Sequence, residues 1–128
     1  MKSKLITEIE NLRYKNYDHE QPEVPRSKEF GKLYKQLIAR IIKPYGWKIV
    51  KCNSMYCECS MFIQSGNKYV YLNSGDYRYT LRWGMSDSWK DDILVRTAKD
   101  TNDYHGGSNN TTDLDSLVDK LKYLFKEV

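Results

Sequence analysis

The spacing of hydrophobic residues changes from helical to alternating near Trp47. Before that point, one set of apolar residues recurs at every third or fourth position: Phe30, Leu33, Tyr34, Leu37, Ile38, Ile41 and Ile42. This pattern places them on one face and predicts an amphipathic helix. Ser27 is the expected N-cap, and Pro44 with Gly46 is expected to end the helix.

Helices are also predicted near both ends of the chain. A short one is indicated by the apolar stripe Leu5, Ile6, Ile9 and Leu12, with Ser3 as a candidate N-cap. Residues 14–26 are polar, contain two prolines and are predicted to form a connector. The last helix has the stripe Leu114, Leu117, Val118, Leu121, Leu124 and Phe125. Thr112 is its expected N-cap, with Asp115 three residues later.

After Trp47 the apolar period becomes two, which is typical of strands. Strands are predicted over 47–52, 57–64, 69–72 and 77–83, with Ser65-Gly66-Asn67 as a hairpin turn. The segment 93–98 is apolar and β-branched, and it favours a fifth strand, while a helix capped by Ser88 is the alternative. Residues 99–112 are predicted to be a long loop, and loops of that length are often functional.

These elements predict one α+β domain over residues 1–128 with the order ααββββ(β)α. Residues 1–26 form an N-terminal helix and connector, and 27–128 form the core. Consecutive strands on short turns imply an antiparallel meander of four to five strands. We expect helices to pack on one face of the sheet and leave the other face partly open.

Charge is unevenly distributed along the 128 residues. The net charge is +4, but 26–51 has eight basic residues and one acid, whereas 85–119 has eight aspartates and three basic residues. No apolar run is long enough for a membrane helix, and Glu8 interrupts any secretory leader. Three cysteines do not suggest a disulfide framework. We therefore expect a cytoplasmic protein of the host cell with no membrane association.

The three cysteines are a candidate zinc site. Cys52, Cys57 and Cys59 form a C-x4-C-x-C group, to which His105, His19 or an aspartate could add a fourth ligand. The spacing departs from the usual C-x2-C pairs, and the alternative is that Cys57 and Cys59 pack as small apolar residues on the core side with Met61 and Ile63. Zinc is thus the one cofactor that the sequence suggests, and the packing interpretation is favoured.

The segment 103–107 combines a carboxylate, an imidazole and two glycines in Asp103-Tyr104-His105-Gly106-Gly107. One hypothesis is a general acid/base pair or a nuclease-type metal site. The alternative is a glycine turn that presents side chains to a partner. Because the sequence has no phosphate-binding, dinucleotide, zinc-protease or serine-hydrolase signature, we expect no enzymatic activity and no small-molecule substrate.

The stretch Ile93-Leu94-Val95-Arg96-Thr97-Ala98-Lys99, followed by Asp103-Tyr104-x-Gly106-Gly107, resembles small accessory proteins of phages and mobile elements. The likeness covers residues 45–125. Proteins of this size and setting include anti-CRISPR inhibitors of type II CRISPR effector nucleases, some of which contain metal. The resemblance implies a stoichiometric inhibitor with no catalytic residues. His105 stands where the pattern leads us to expect threonine.

We therefore expect a non-catalytic inhibitor that occludes a functional surface of a host defence nuclease. Aromatic and charged side chains suit such an interface. The candidate contact residues are Lys32, Lys35, Arg78, Arg82, Trp89, Tyr104 and His105. The alternative is a nucleic-acid-binding domain that uses the basic helix 28–43 and aromatic side chains of the sheet.

Overall fold

The computed structural model describes residues 4–16, 24–55, 58–75, 80–81 and 86–127. Its helices are α1 (Lys4–Asn16), α2 (Val24–Ile42), α3 (Ser88–Asp91) and α4 (Leu117–Glu127). A 3-10 turn over Lys43–Tyr45 follows α2. Gly46, with φ of 74°, then adopts a left-handed conformation that glycine accepts without strain.

All neighbouring strands of the main sheet are antiparallel. Its described strands are, in their order across the sheet, β1 (Lys48–Met55), β2 (Glu58–Ser65), β3 (Lys68–Asn73), β6 (Ile93–Ala98) and β7 (Asn110–Thr112). The α+β class, the antiparallel sheet and the strand over 93–98 are confirmed. The turn between β2 and β3 is also confirmed, with Gly66 at φ of 62°.

The described part of the expected fourth strand over 77–83 does not join the main sheet. Only Thr80–Leu81 of it is described, as β4, and it pairs with β5 (Ser86–Asp87) in a separate two-stranded sheet. The strand beside β3 is β6, because the chain leaves the main sheet after Asn73 and returns at Ile93. The sequence predicts a loop over 99–112, but its last three residues form β7. The loop therefore covers only 99–109.

Three helix boundaries differ from the prediction. Helix α2 begins at Val24, before Ser27, because Pro25 is tolerated in a first turn where its missing N–H needs no partner. Helix α1 continues through Asn16, so the connector is shorter than 14–26. Residues 17–23 lie outside the described residues.

The third difference is the start of the last helix. Asp113 replaces Thr112 as the cap of the turn before α4, because its Oδ1 accepts the N–H of Ser116 at 2.8 Å. The hydroxyl of Thr112 instead donates to the carbonyl of Asp113 at 3.1 Å.

The hydrophobic core lies between the helices and one face of the main sheet, called here the inner face. Helix α2 packs on β1 and β2, and α4 packs on β3 and β6. The inner-face side chains of the sheet are Cys59, Met61, Ile63, Val70, Leu72, Ile93 and Val95. Trp89 belongs to the same cluster and is fully buried, so it is a core residue in this structure and is not exposed for partner contact.

Candidate recognition loop

The opposite, outer face of the sheet holds a second hydrophobic cluster, covered by residues 99–109, called here the loop. The cluster consists of Phe62, Tyr71 and Ala98, with Tyr69 and Leu94 packed against it. The ring of Tyr104, from the loop, meets Phe62 edge-on at a centroid distance of 5.3 Å and Tyr71 at 5.9 Å. The outer face is therefore closed in part by a segment with little regular structure of its own.

Asp103 organises the loop through its carboxylate. Its Oδ2 accepts the N–H of Lys99 at 2.9 Å, and its Oδ1 accepts those of His105 at 3.2 Å and Gly106 at 2.7 Å. The hydrogen bond from Lys99 and the two others lower the pKa of Asp103, since they favour the charged form. The carboxylate of Asp103 thus accepts hydrogen bonds from three backbone N–H groups, and the His105 group among them is the backbone N–H. This pattern is typical of a turn, so it favours the turn interpretation over an acid/base pair.

Arg96, on strand β6, fixes the loop to the outer face of the sheet. Its Nη1 donates to the carbonyl oxygens of Asp103 and Gly106, both at 3.1 Å. The side chain is only 5% exposed, so these bonds compensate the burial of its charge. Lys51, on strand β1 at the edge of the sheet, also holds the loop. Its Nζ donates to the carbonyl of Thr101 at 3.1 Å and to Oδ1 of Asn102 at 3.0 Å.

Two glycines complete the loop. A Cβ at Gly106 would collide with the carboxylate of Asp103, and a Cβ at Gly107 would collide with the side chain and backbone of Thr97. Gly107 also has φ of 65°, a conformation that side chains disfavour. The motif from Arg96 to Gly107 is thus explained by the construction of the loop.

The loop presents Tyr104 and His105 outward. Tyr104 is 39% exposed although its ring packs on the outer cluster, and its hydroxyl accepts a 3.4 Å hydrogen bond from Nδ2 of Asn53. The ammonium of Lys51 lies 5.4 Å from the centre of the Tyr104 ring. His105 is exposed beside it. The result is a supported aromatic ring with a cation at its side.

Two of the other predicted contact residues, Lys32 and Lys35, do not join this surface. They are exposed on α2, which packs on the inner face. Arg78 and Arg82 lie outside the described residues. The proposed basic helix and the described sheet aromatics therefore occupy opposite faces of the sheet and cannot form one nucleic-acid surface.

The structure gives no support to the zinc hypothesis in the residues that it describes. Among them, no three His, Cys, Asp or Glu side chains are arranged to hold a metal ion. Cys52 and Cys59 face the inner core, whereas His105 belongs to the loop on the outer face, so the sheet separates it from the two sulfurs. Cys57 lies outside the described residues.

Sequence reasoning missed Lys51 and Arg96 as residues that fix the loop. The available signal was the position of Arg96 within a short, apolar strand, where a charged side chain needs buried partners. Lys51 had no such signal, because its partners are 50 residues away in the chain.

A shallow groove of about 510 Å³ lies between α2 and β1. Its lining contains three lysines and no acid, above an apolar floor that includes Trp47: Lys35, Ala39, Ile42, Lys43, Gly46, Trp47, Lys48 and Ile49. This groove therefore brings the charges of three lysines together on one concave surface.

Comparison with models of protein families, with curated proteins and with solved structures found no match. Within the described ranges, no helix has both the length and the apolar composition needed to cross a membrane.

Proposed function

We propose that this chain is a non-catalytic protein-binding inhibitor that acts through the loop, and that its target is a host defence nuclease of the type II CRISPR effector class. The observation that supports a binding role is the fixation of the loop by Arg96 and Asp103, which holds Tyr104 in place. The nuclease as target rests on the resemblance of 93–99 and 103–107 to accessory proteins of phages and mobile elements.

A fixed loop favours tight binding because little conformational entropy is lost on association. Here the backbone of residues 99–106 is held by side chains from two strands and from within the loop. Tyrosine supplies a large apolar surface with a polar tip, which is a common anchor at protein interfaces. Tyr104 has both properties, since its ring is supported on one side and exposed on the other.

The test is titration of the protein into a DNA-cleavage assay with a type II CRISPR effector nuclease and its guide RNA. We expect inhibition that saturates near one equivalent. The Tyr104→Ala variant should bind about 30-fold more weakly, the size expected for an anchor residue. Tyr123→Ala is the matched control, because Tyr123 is 54% exposed on α4, away from the loop.

Two results would overturn the proposal. Unchanged cleavage at a large excess of inhibitor would remove the nuclease as target. Equal loss of binding in both tyrosine variants would remove the loop as the contact surface. Circular dichroism of each variant establishes that the fold is retained.

Nucleic-acid binding is the second candidate, and the basic groove between α2 and β1 favours it. Lys35, Lys43 and Lys48 line this groove and could contact phosphates. The expected result is an affinity for single-stranded DNA that falls steeply with salt and is lowered by Lys43→Ala. Binding that does not respond to salt would exclude this function.

A further inference from the structure

Two cysteines on neighbouring strands bring their sulfur atoms together at the inner face. The Sγ atoms of Cys52 on β1 and Cys59 on β2 are 3.5 Å apart. They are diagonal neighbours in the strand register, in which Cys59 faces Ser54 and Cys52 faces Met61. A disulfide has an S–S length near 2.05 Å, so the sulfurs need to approach by only about 1.5 Å.

The two thiols differ in their access to solvent. Cys59 is fully buried, whereas Cys52 is partly exposed. Lys35, exposed on α2, contributes a positive charge near both sulfurs. This arrangement gives one sulfur that a small solute can reach and a second sulfur behind it.

The electrostatics of the pair agree with that difference. The hydrogen bond between the two sulfurs lowers the pKa of Cys52 to about 7; burial opposes this shift and the charge of Lys35 assists it. The same hydrogen bond and burial raise the pKa of Cys59. Cys52 is therefore the more readily ionised sulfur of the pair.

We propose that Cys52 and Cys59 form a hydroperoxide-reactive dithiol site, in which Cys52 is the attacking sulfur and Cys59 the resolving one. In the first step, the Cys52 thiolate attacks the terminal oxygen of a hydroperoxide. The O–O bond breaks, Cys52 becomes a sulfenic acid, and the leaving alkoxide or hydroxide takes a proton from water. In the second step, Cys59 sulfur attacks the Cys52 sulfur. The S–O bond breaks, the S–S bond forms, and the thiol proton leaves with the hydroxyl as water.

Strand β1 can accommodate the approach of the sulfurs. It stands at the end of the described strand order and is hydrogen-bonded to β2 alone. A register irregularity lies between Ile49 and Lys51, next to Cys52. An edge strand with a bulge adjusts its position with fewer hydrogen bonds disturbed than a central strand would.

The test uses the full chain in a Cys57→Ser background, so that the third cysteine cannot contribute. Treatment with hydrogen peroxide should lower the intact mass by two hydrogen atoms, and a non-reduced digest should contain a Cys52–Cys59 peptide pair. At pH 7 the folded chain should react about tenfold faster than the same chain in urea, because more of Cys52 is thiolate than in an ordinary cysteine.

Single substitutions separate the roles. Cys59→Ser should leave a sulfenic acid at Cys52 that a dimedone-type reagent traps, and Cys52→Ser should abolish the fast reaction. Lys35→Ala should shift the pH profile of alkylation at Cys52 upward, whereas Lys32→Ala, one turn away on the same helix, should not. Equal rates in folded and unfolded chains, or trapping at Cys59 in place of Cys52, would overturn the proposal.

Discussion

The guanidinium carbon of Arg96 lies 4.3 Å from the centre of the Tyr71 ring, beneath the loop. Tyr71 in turn supports the edge of Tyr104 at a centroid distance of 5.9 Å. Arg96 therefore acts in two ways, since its Nη1 holds the loop backbone while its guanidinium contacts the Tyr71 ring of the outer face. The exposed tyrosine depends on a buried cation that never reaches the surface.

Arg96→Lys should lower the free energy of unfolding by about 2 kcal/mol, because an ammonium cannot reproduce the planar contacts of the guanidinium. We expect faster amide hydrogen exchange over residues 99–109. Arg40→Lys is the control, since Arg40 is exposed on α2. If both substitutions had the same small effect on the melting temperature, Arg96 would not fix the loop.

Gly31→Ala should destabilise the protein although alanine is the better helix former. A Cβ at this position in α2 would collide with the side chain of Ser54 on β1. We expect a loss of roughly 1–3 kcal/mol from the steric conflict, larger than the gain in helix propensity.

Ser54→Gly in the same chain should recover part of that loss, because it removes the two side-chain atoms that the new Cβ would meet. Chemical denaturation of the two single variants and the double variant gives the coupling energy. If the effects of the two substitutions on the free energy of unfolding were additive, Gly31 of α2 and Ser54 of β1 would not be in close contact.

Asp103 should give the loop a pH dependence below the ordinary aspartate range. Because its pKa is lowered in the folded loop, the ionised carboxylate contributes stability above the ordinary pKa of 3.8. That contribution is lost as the pH falls through the lowered value. The amide resonances of His105 and Gly106 should report this titration with a midpoint below 3.8.

Asp103→Asn should remove that titration and weaken the order of the loop at neutral pH. The matched control is Asp115→Asn, since Asp115 is exposed before α4 and takes no part in the loop. A midpoint for the wild-type amides at or above the ordinary value would contradict the assigned hydrogen bonds.

Trp89→Phe should reduce stability and leave partner binding unchanged. Trp89 is fully buried, its ring meets Tyr34 edge-on at a centroid distance of 6.5 Å, and its carbonyl accepts the Tyr34 hydroxyl at 3.0 Å. The loss of packing should be about 1–3 kcal/mol. Thermal denaturation and the nuclease assay, run on the same preparation, distinguish a core role from a contact role.

Sequence periodicity predicted the parts of the fold in which local pattern and burial agree. Helix α2 and the hairpin at Gly66 are examples, because one long stripe and one turn residue are enough to specify them. The neighbour of β3 was not predictable in this way. The alternating pattern of 77–83 is as suitable for an independent hairpin as for the central sheet, and only long-range pairing decides between them.

The candidate site, like the fold, is predictable from the sequence only in part. The sequence singled out 103–107 because glycines beside tyrosine and histidine are typical of recognition loops. It could not supply Lys51, which reaches Thr101 across the sheet. It also assigned Trp89 to the surface, because an aromatic residue in an irregular segment has no periodicity to indicate burial.

The construction of the loop determines what a search for related sequences would find. Arg96, Asp103, Gly106 and Gly107 make internal contacts or avoid internal collisions, and the intervening His105 is turned to solvent. A sequence search with this motif would find proteins that share the construction of the loop, whatever partners they bind. Two such proteins could bind unrelated targets, and the residues that distinguish those targets would be the exposed ones, at the positions of Tyr104 and His105 in this chain.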